Sequence, residues 1–338
     1  MGTALVTGGA GFIGSHLVDA LLERGDDVRV LDNLSTGSLR NLQAGPDRGP
    51  ASSRPGRRIE LMIGDVRDDK LARKAMRHVD CVYHFAGLPP GIAATGHGEV
   101  HTVNVQGTLN VLQAAATEGV RRLVFASCAS IYGTTDGAPI AEDRPALPVS
   151  VFGASKLAGE IYCRAYHASR HVETVLLRYF NVYGPRQNAV VQGAFVPALI
   201  EMVRRGRRPL LAGDGRTGQD FLFVDDAVAA TIAAAQAPRA LGRAVNLGAG
   251  QLATPLEMLG IVNRLLRSDV VPRQGRPRTE PGAAARADIS LAAELLGWAP
   301  RVSFVSGLAH TVQFFADAEQ QEDGLLAEVG SHEERADL

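Results

Sequence analysis

Short apolar runs alternate with stretches of helical apolar spacing along this chain, almost from its first residue. Thr3–Thr7 reads as a short buried strand, and Ser15–Leu22 repeats its apolar positions at helical intervals. Val28–Leu31 is a second strand, ended by Asp32. Ile59–Val66 is a third, with Asp65 near its end. Val79–Gly87 forms a fourth. A helix then runs from Val103 to about Glu118, and Arg121–Cys128 is a fifth strand that leads into a loop through Gly133. A second long helix covers 152–169, and the next strand begins at Thr174. Alternation of this kind predicts an α/β chain with a parallel, doubly wound sheet and helices on both faces.

The turn between the first strand and its helix carries candidate chemistry. It reads Gly8-Gly9-Ala10-Gly11-Phe12-Ile13-Gly14. Gly8 permits a sharp turn, and Gly11 lets the backbone approach a pyrophosphate at the helix N-terminus. Unpaired N–H groups and the helix dipole favour an anion there. Gly14 allows close helix–strand packing. Asp32 follows the glycines by roughly 20 positions, where a carboxylate binds the adenosine ribose hydroxyls of a dinucleotide. It also disfavours the 2′-phosphate of NADP, so NAD is the expected cofactor of a Rossmann-type unit.

Composition narrows the partners. The chain has 338 residues, 46% of them hydrophobic, enough for one large domain or two. A formal net charge of −1 gives no electrostatic case for nucleic acid or a membrane surface. No apolar run approaches the length of a membrane span. Cys81, Cys128 and Cys163 show neither paired nor metal-type spacing. Together with the lack of a charged-then-apolar leader, this predicts free thiols in the cytoplasm. His97 and His101 stand four apart but lack a zincin glutamate or an obvious third ligand, so they read as loop histidines and no metal is expected.

Several motifs then occur in one order. They are the Gly-x-x-Gly-x-x-Gly spacing at 8, 11 and 14, Asp32-Asn33-Leu34-Ser35-Thr36-Gly37, and His84-Phe85-Ala86-Gly87-Leu88. Phe152 lies four residues before Lys156, Arg178-Tyr179-Phe180-Asn181-Val182-Tyr183-Gly184-Pro185-Arg186 follows, and Ala287-Asp288-Ile289-Ser290 stands near the end. From residue 3 to about 317 the chain resembles the extended short-chain dehydrogenase/reductases, in their NAD-dependent nucleotide-sugar epimerase/dehydratase branch. The resemblance implies a Rossmann domain at 1–180 with returns near 222–250. It also implies a smaller C-terminal α/β substrate domain at 181–221 and 251–318, and a flexible tail at 319–338. Residues 44–58 read as a surface loop.

The same resemblance assigns roles. Gly8, Gly11, Phe12, Ile13, Gly14, Asp32, Asn33, Ser35, Thr36 and Gly37 would hold NAD. So would Asp65 (at the adenine amino group), Val66, Phe85, Ala86, Gly87, Asn104, Ser127, Lys156, Phe180 and Val182. Leu88, Pro89, Cys128, Asn181, Arg186, Phe195 and Gln219 would face a sugar or nucleotide-sugar substrate. Helices 103–118 and 152–169 would pair across a homodimer.

Departures from the pattern fall in the chemistry and the substrate grip. Phe152 stands where the family has its catalytic tyrosine, so the acid/base hydroxyl is missing. Proton transfer by such a group is commonly worth two to four orders of magnitude in rate. Cys128 replaces the catalytic serine or threonine. It reads either as a substitute base, its thiol pKa lowered by Lys156 and the nicotinamide, or as a space-filling residue. Ala129 and Ser130 occupy the dehydratases' acidic positions, which leaves epimerisation at C4. Ala212 replaces an aromatic ring, and Gln219 and Ala283 replace two arginines that grip a diphosphate. Arg186, Arg216, Arg278 and Arg286 are candidate replacements for those arginines. The leading expectation is an NAD-dependent sugar epimerase with a non-standard acid/base, in which Cys128 and Lys156 act beside Phe152. Two alternatives are a member that retains NAD for a non-redox, structural or regulatory role, and a Tyr-to-Phe trapped variant of a UDP-sugar 4-epimerase. The latter explains Phe152 alone.

Overall fold

The computed structural model describes residues 2–43, 59–93, 96–135, 137–188, 194–275 and 285–317. The expected loop at 44–58, the tail from 319, Arg278 and Ala283 lie outside them. The chain begins with β1 (Thr3–Thr7), α1 (Phe12–Arg24), β2 (Asp27–Asp32), α2 (Leu39–Gln43) and β3 (Ile59–Ile63). α3 (Asp69–Met76), β4 (Cys81–His84), α4 (Pro90–Ala93) and α5 (His97–Val100) follow. A π-helical turn, His101–Gln106, runs into α6 (Gly107–Thr117) and β5 (Arg122–Cys128). Next come β6 (Pro139–Ile140), α7 (Val151–Ala168), β7 (Glu173–Tyr179), β8 (Asn181–Tyr183), α8 (Phe195–Arg204) and β9 (Leu210–Leu211). β10 (Gln219–Phe223), α9 (Val224–Gln236), β11 (Ala244–Leu247), β12 (Leu252–Ala253) and α10 (Pro255–Leu266) precede β13 (Arg273–Gln274), β14 (Arg286–Ala287) and α11 (Ser290–Leu296). A last helix covers 304–317.

Seven strands form one sheet in the order β11-β7-β5-β4-β1-β2-β3, every pair parallel. Successive strand residues face opposite sides, so Leu5 and Val6 enter different cores. Leu5 joins Met76, Val82, Leu123 and Leu176 on one side of the sheet. Val6 joins Val18, Leu177 and Val228 on the other. Strands covered on both faces need continuous apolar runs, and six of the seven β5 residues are buried. The strand order turns back at β1, with β2 on one side and β4 on the other. This opens a crevice at the carboxyl ends of these strands.

Local chemistry sets the helix ends that matter to this crevice. α1 starts at Gly11 and stops at Gly25, whose φ of 93° suits a residue without a Cβ. α7 starts where the Ser150 side chain accepts from Gly153 N, 3.1 Å away. Two expected elements differ. The third strand ends at Ile63, and Asp65 sits on the turn beyond it. The helix expected from Val103 is π-helical through Gln106; over six residues the apolar pattern does not separate that spacing from the α-helical one.

Candidate active site

A cavity of about 350 Å³ opens at the ends of β1, β2, β3 and β4. Most of the residues singled out from the sequence line it. Gly8, Gly11, Phe12, Ile13 and Gly14 supply the floor of the glycine-rich turn, and Asp32, Asn33, Ser35 and Thr36 come from the end of β2. Asp65 and Val66 follow β3, while Phe85, Ala86, Gly87, Leu88 and Pro89 follow β4; Arg186 closes the far side. Arg67, Glu99, Val103 and Gln187 also line it. They carried no motif of their own, although Arg67 is only two residues past Asp65. Gly37, Asn104, Ser127, Cys128, Phe152, Lys156, Phe180, Asn181, Val182, Phe195 and Gln219 lie outside this lining.

The cavity suits a dinucleotide. No side chain caps the N-terminus of α1 and no acidic residue stands in its first turn, so its N–H groups face the cavity ready for a diphosphate. Gly8 has φ +71°, and a Cβ there would lie 2.7 Å from Ala86 N; the turn and the β4 exit therefore touch. A Cβ on Gly14 would collide with the Gly8 carbonyl oxygen. Asp32 Oδ2 accepts from Ala10 N at 2.9 Å and Oδ1 from Leu34 N at 2.8 Å. Each oxygen keeps a lone pair for a ribose hydroxyl. Gly37 lies against Ala10, so the loop after β2 packs onto the same turn.

Asp65 is held differently. Arg67 N and Nε donate to its Oδ1 at 2.8 and 2.9 Å, while an Arg67 guanidinium nitrogen and Asn33 Nδ2 donate to Oδ2, both at 2.8 Å. These bonds, those from Arg67 first, hold its carboxyl down at about 2. All four lone pairs are engaged, so an adenine amino group reaches Asp65 only by displacing Arg67 or Asn33.

A second group of residues lies behind Gly87. A Cβ on Gly87 would sit 3.0 Å from Asn104 Oδ1 and 3.3 Å from Lys156 Nζ. Asn104 Oδ1 accepts from Leu88 N at 2.8 Å and its Nδ2 donates to Ser155 Oγ at 3.0 Å. Lys156 is buried and donates to Ala126 O at 2.9 Å. Burial pulls its ammonium pKa down, and Cys128 and Cys163 oppose that. Ser127 Oγ donates to Glu160 Oε1 at 2.6 Å. Arg178 grips both oxygens of Glu160 at 2.9 and 2.8 Å and donates to Tyr132 OH at 2.8 Å, which donates to Asn246 Oδ1 at 2.7 Å. The connection between these residues had no sequence signal, because they come from four separate stretches of chain.

Cys128 is protonated in the absence of a cofactor. Burial raises its thiol pKa by more than Lys156 and the hydrogen bonds from Ser130 lower it. In this structure it is therefore a neutral thiol at neutral pH, packed against Ile131, Tyr132, Ile140, Phe180 and Ala287. Phe152 is half-buried in an apolar cluster with Leu88, Val100 and Val103. On the expected substrate side, Asn181 Nδ2 donates to Asp220 O at 2.9 Å, and Arg186 reaches Asp19 at 2.8 Å. Val182 O accepts from Gln187 at 3.1 Å, Phe195 opens α8, and Gln219 pairs with Ala253 at the β10–β12 edge. Asp220 is buried. It accepts from Ala249 N, Gly250 N and Ala287 N at 2.6, 2.9 and 3.0 Å, and burial still pushes its carboxyl up to about 6.

A family model described as the NAD dependent epimerase/dehydratase family matches residues 4–248. The chain belongs to that family. The UDP-glucose 4-epimerase of Mycolicibacterium smegmatis is 34% identical over 327 residues, which cover 94% of this chain and 99% of that protein. The structure of the Thermus thermophilus UDP-glucose 4-epimerase in complex with NAD superposes with a TM-score of 0.82 at 32% identity, covering 93% of this chain and 99% of that one. The Methanobrevibacter ruminantium UDP-N-acetylglucosamine 4-epimerase, solved with UDP-N-acetylmuramic acid, gives 0.86 at 29% identity over 94% and 99%. NAD is the cofactor of this epimerase/dehydratase family, and the open α1 N-terminus, the glycine floor and Asp32 fit it.

Proposed function

We propose that this protein is a nucleotide-sugar epimerase that oxidises a sugar alcohol transiently, keeps its cofactor bound and uses an acid/base other than a phenol. The observation that carries the reading is the combination of an intact dinucleotide cradle with Lys156 held beside Gly87. Family membership and the near full-length similarity to a UDP-glucose 4-epimerase support it. NAD bound in this cavity would supply a reversible hydride acceptor. The glycine-rich turn would hold its diphosphate, Asp32 the adenosine ribose and Lys156 the nicotinamide ribose, with Phe180 and Val182 beside the nicotinamide. Leu88, Pro89, Asn181, Arg186, Phe195 and Gln219 face the substrate.

Phe152 has no proton to hold, and Cys128 has one. The positive charge of an oxidised nicotinamide, together with Lys156, would favour loss of the Cys128 proton to solvent; the thiolate would then take the sugar hydroxyl proton as the hydride leaves and return it as the hydride comes back. The test is conversion of UDP-glucose and UDP-galactose, with absorbance of reduced cofactor followed in parallel. Cys128→Ala is expected to lower kcat by about 10²-fold or more, and Phe152→Tyr to raise it by a similar factor. Turnover unchanged in Cys128→Ala would sink the thiol as the acid/base.

A second reading has its own support. The apolar surround of Phe152, together with Ala212 and Gln219, suits a member that retains NAD for a non-redox role. Failure of any sugar nucleotide to produce reduced cofactor favours that reading. α7 leaves Ile161 60% and Tyr162 38% exposed, and we assign this face to a homodimer. No helix among the described residues is long and apolar enough to cross a membrane. The three cysteines are free, as suits the cytoplasm.

A further inference from the structure

Buried side chains between the glycine-rich turn and the π-helical turn form a hydrogen-bonded line whose direction can be derived. Thr108 Oγ1 lies 2.6 Å from the Asn104 carbonyl oxygen, which only accepts, so the one hydroxyl proton of Thr108 is spent there. His84 Nε2, 3.0 Å from the same hydroxyl oxygen, must then be the donor. A neutral ring protonated at Nε2 has an accepting Nδ1, so the Thr7 hydroxyl, 2.7 Å away, donates to it. Thr7 Oγ1 accepts in turn from Ala86 N at 3.3 Å. His84 is fully buried, and burial with the charge of Lys156 holds its pKa down at about 3, so the ring stays neutral. The line runs unbroken from Ala86 through Thr7, His84 and Thr108 to Asn104.

Both ends bear on the cofactor cavity. Ala86 lines it and touches Gly8 of the glycine-rich turn. Asn104 fixes Leu88 N at the other end and also holds Ser155, one residue before Lys156. Ala86 and Leu88 are thus pinned from two directions, and His84 joins the two pins. We propose that His84 is a positioning residue that locks the β4 exit, Phe85–Leu88, against both turns and so preforms the cavity for NAD. The proposal rests on the family's use of NAD and not on the epimerase reading.

The measurement is the NAD dissociation constant of the full chain, with melting temperature recorded alongside. His84→Phe keeps an aromatic ring of similar size and removes both bonds. The constant should rise roughly 10-fold. Should His84→Phe fail to fold, Thr108→Val breaks the line at one point and is expected to weaken NAD binding about five-fold, while Thr108→Ser stays near wild type. Val82→Ala empties part of the core from the same strand and should lower the melting temperature with NAD affinity unchanged. An equal loss of affinity in Val82→Ala would reduce His84 to a packing role and overturn the proposal. So would wild-type affinity in folded His84→Phe or Thr108→Val. Nitrogen-15 NMR should find the ring protonated at Nε2 and not titrating between about pH 5 and 8; protonation at Nδ1 would equally overturn it.

Discussion

Asp220 accepts three backbone N–H bonds and nevertheless holds its proton up to about 6, because burial outweighs them. Between the ordinary carboxylate value of 3.8 and about 6, the native chain binds a proton that the unfolded chain has lost. The stability contribution of Asp220 therefore falls as pH rises through that window. Asp65 behaves in the opposite sense. Its pKa of about 2 lies below 3.8, so its contribution is present above 3.8 and is lost as pH falls toward 2. Melting curves from pH 3 to 7 should show Asp220→Asn without the wild-type decline between about pH 4 and 6. Asp220→Asn should also be less stable at every pH, by about 1–3 kcal/mol, because an amide NH2 would face a backbone N–H. At this scale the sequence was informative wherever the chemistry is local. Gly8, Gly11, Gly14 and Asp32 line the cavity, and Lys156 lies behind Gly87. Asp220 was not legible, since its three donors lie 29, 30 and 67 residues away in the chain. The protonation state of Cys128 was not legible either, because it is set by burial, which residue type does not record.

Among the elements, α7 carries the most consequence. It was expected at 152–169 and spans Val151–Ala168, since an amphipathic pattern of that length is hard to misread. It meets β5 with almost no gap, and a Cβ on Gly159 would run into the Phe125 ring. Gly159→Ala is expected to cost about 1–3 kcal/mol in denaturant unfolding, through overpacking that outweighs the better helix propensity of alanine. The other face of α7 allows a separate test. Ile161→Glu should shift the proposed dimer to monomer by sedimentation and leave the unfolding free energy of the monomer within about 0.5 kcal/mol of wild type. A wild-type chain that sediments as a monomer at high concentration would remove the dimer. The π-helical turn before α6 had no such signature, although it carries Asn104. It became visible only from hydrogen-bond spacing.

Across the whole molecule, the Glu160–Arg178 pair ties α7 to β7, Ser127 adds β5, and Tyr132 with Asn246 adds β11. Both charges are almost fully buried, at 4% and 1% side-chain exposure, so removing one strands the other. Arg178→Met is therefore expected to lose about 3–5 kcal/mol, read as a lower urea midpoint with an unchanged slope. The parallel α/β class was legible from alternation alone, but the order of strands was not, because nothing local records which edge a late strand joins. β11 is that late strand, and its position matters while the chain is being made. Until Ala244–Leu247 emerges from the ribosome, the Leu176–Tyr179 edge of β7 has no partner. Chains released or cleaved before that point present an open, apolar strand edge to one another. Truncation upstream of residue 244 should accordingly give light-scattering aggregates and not a free nucleotide-binding half, which makes translation past β11 a checkpoint for solubility.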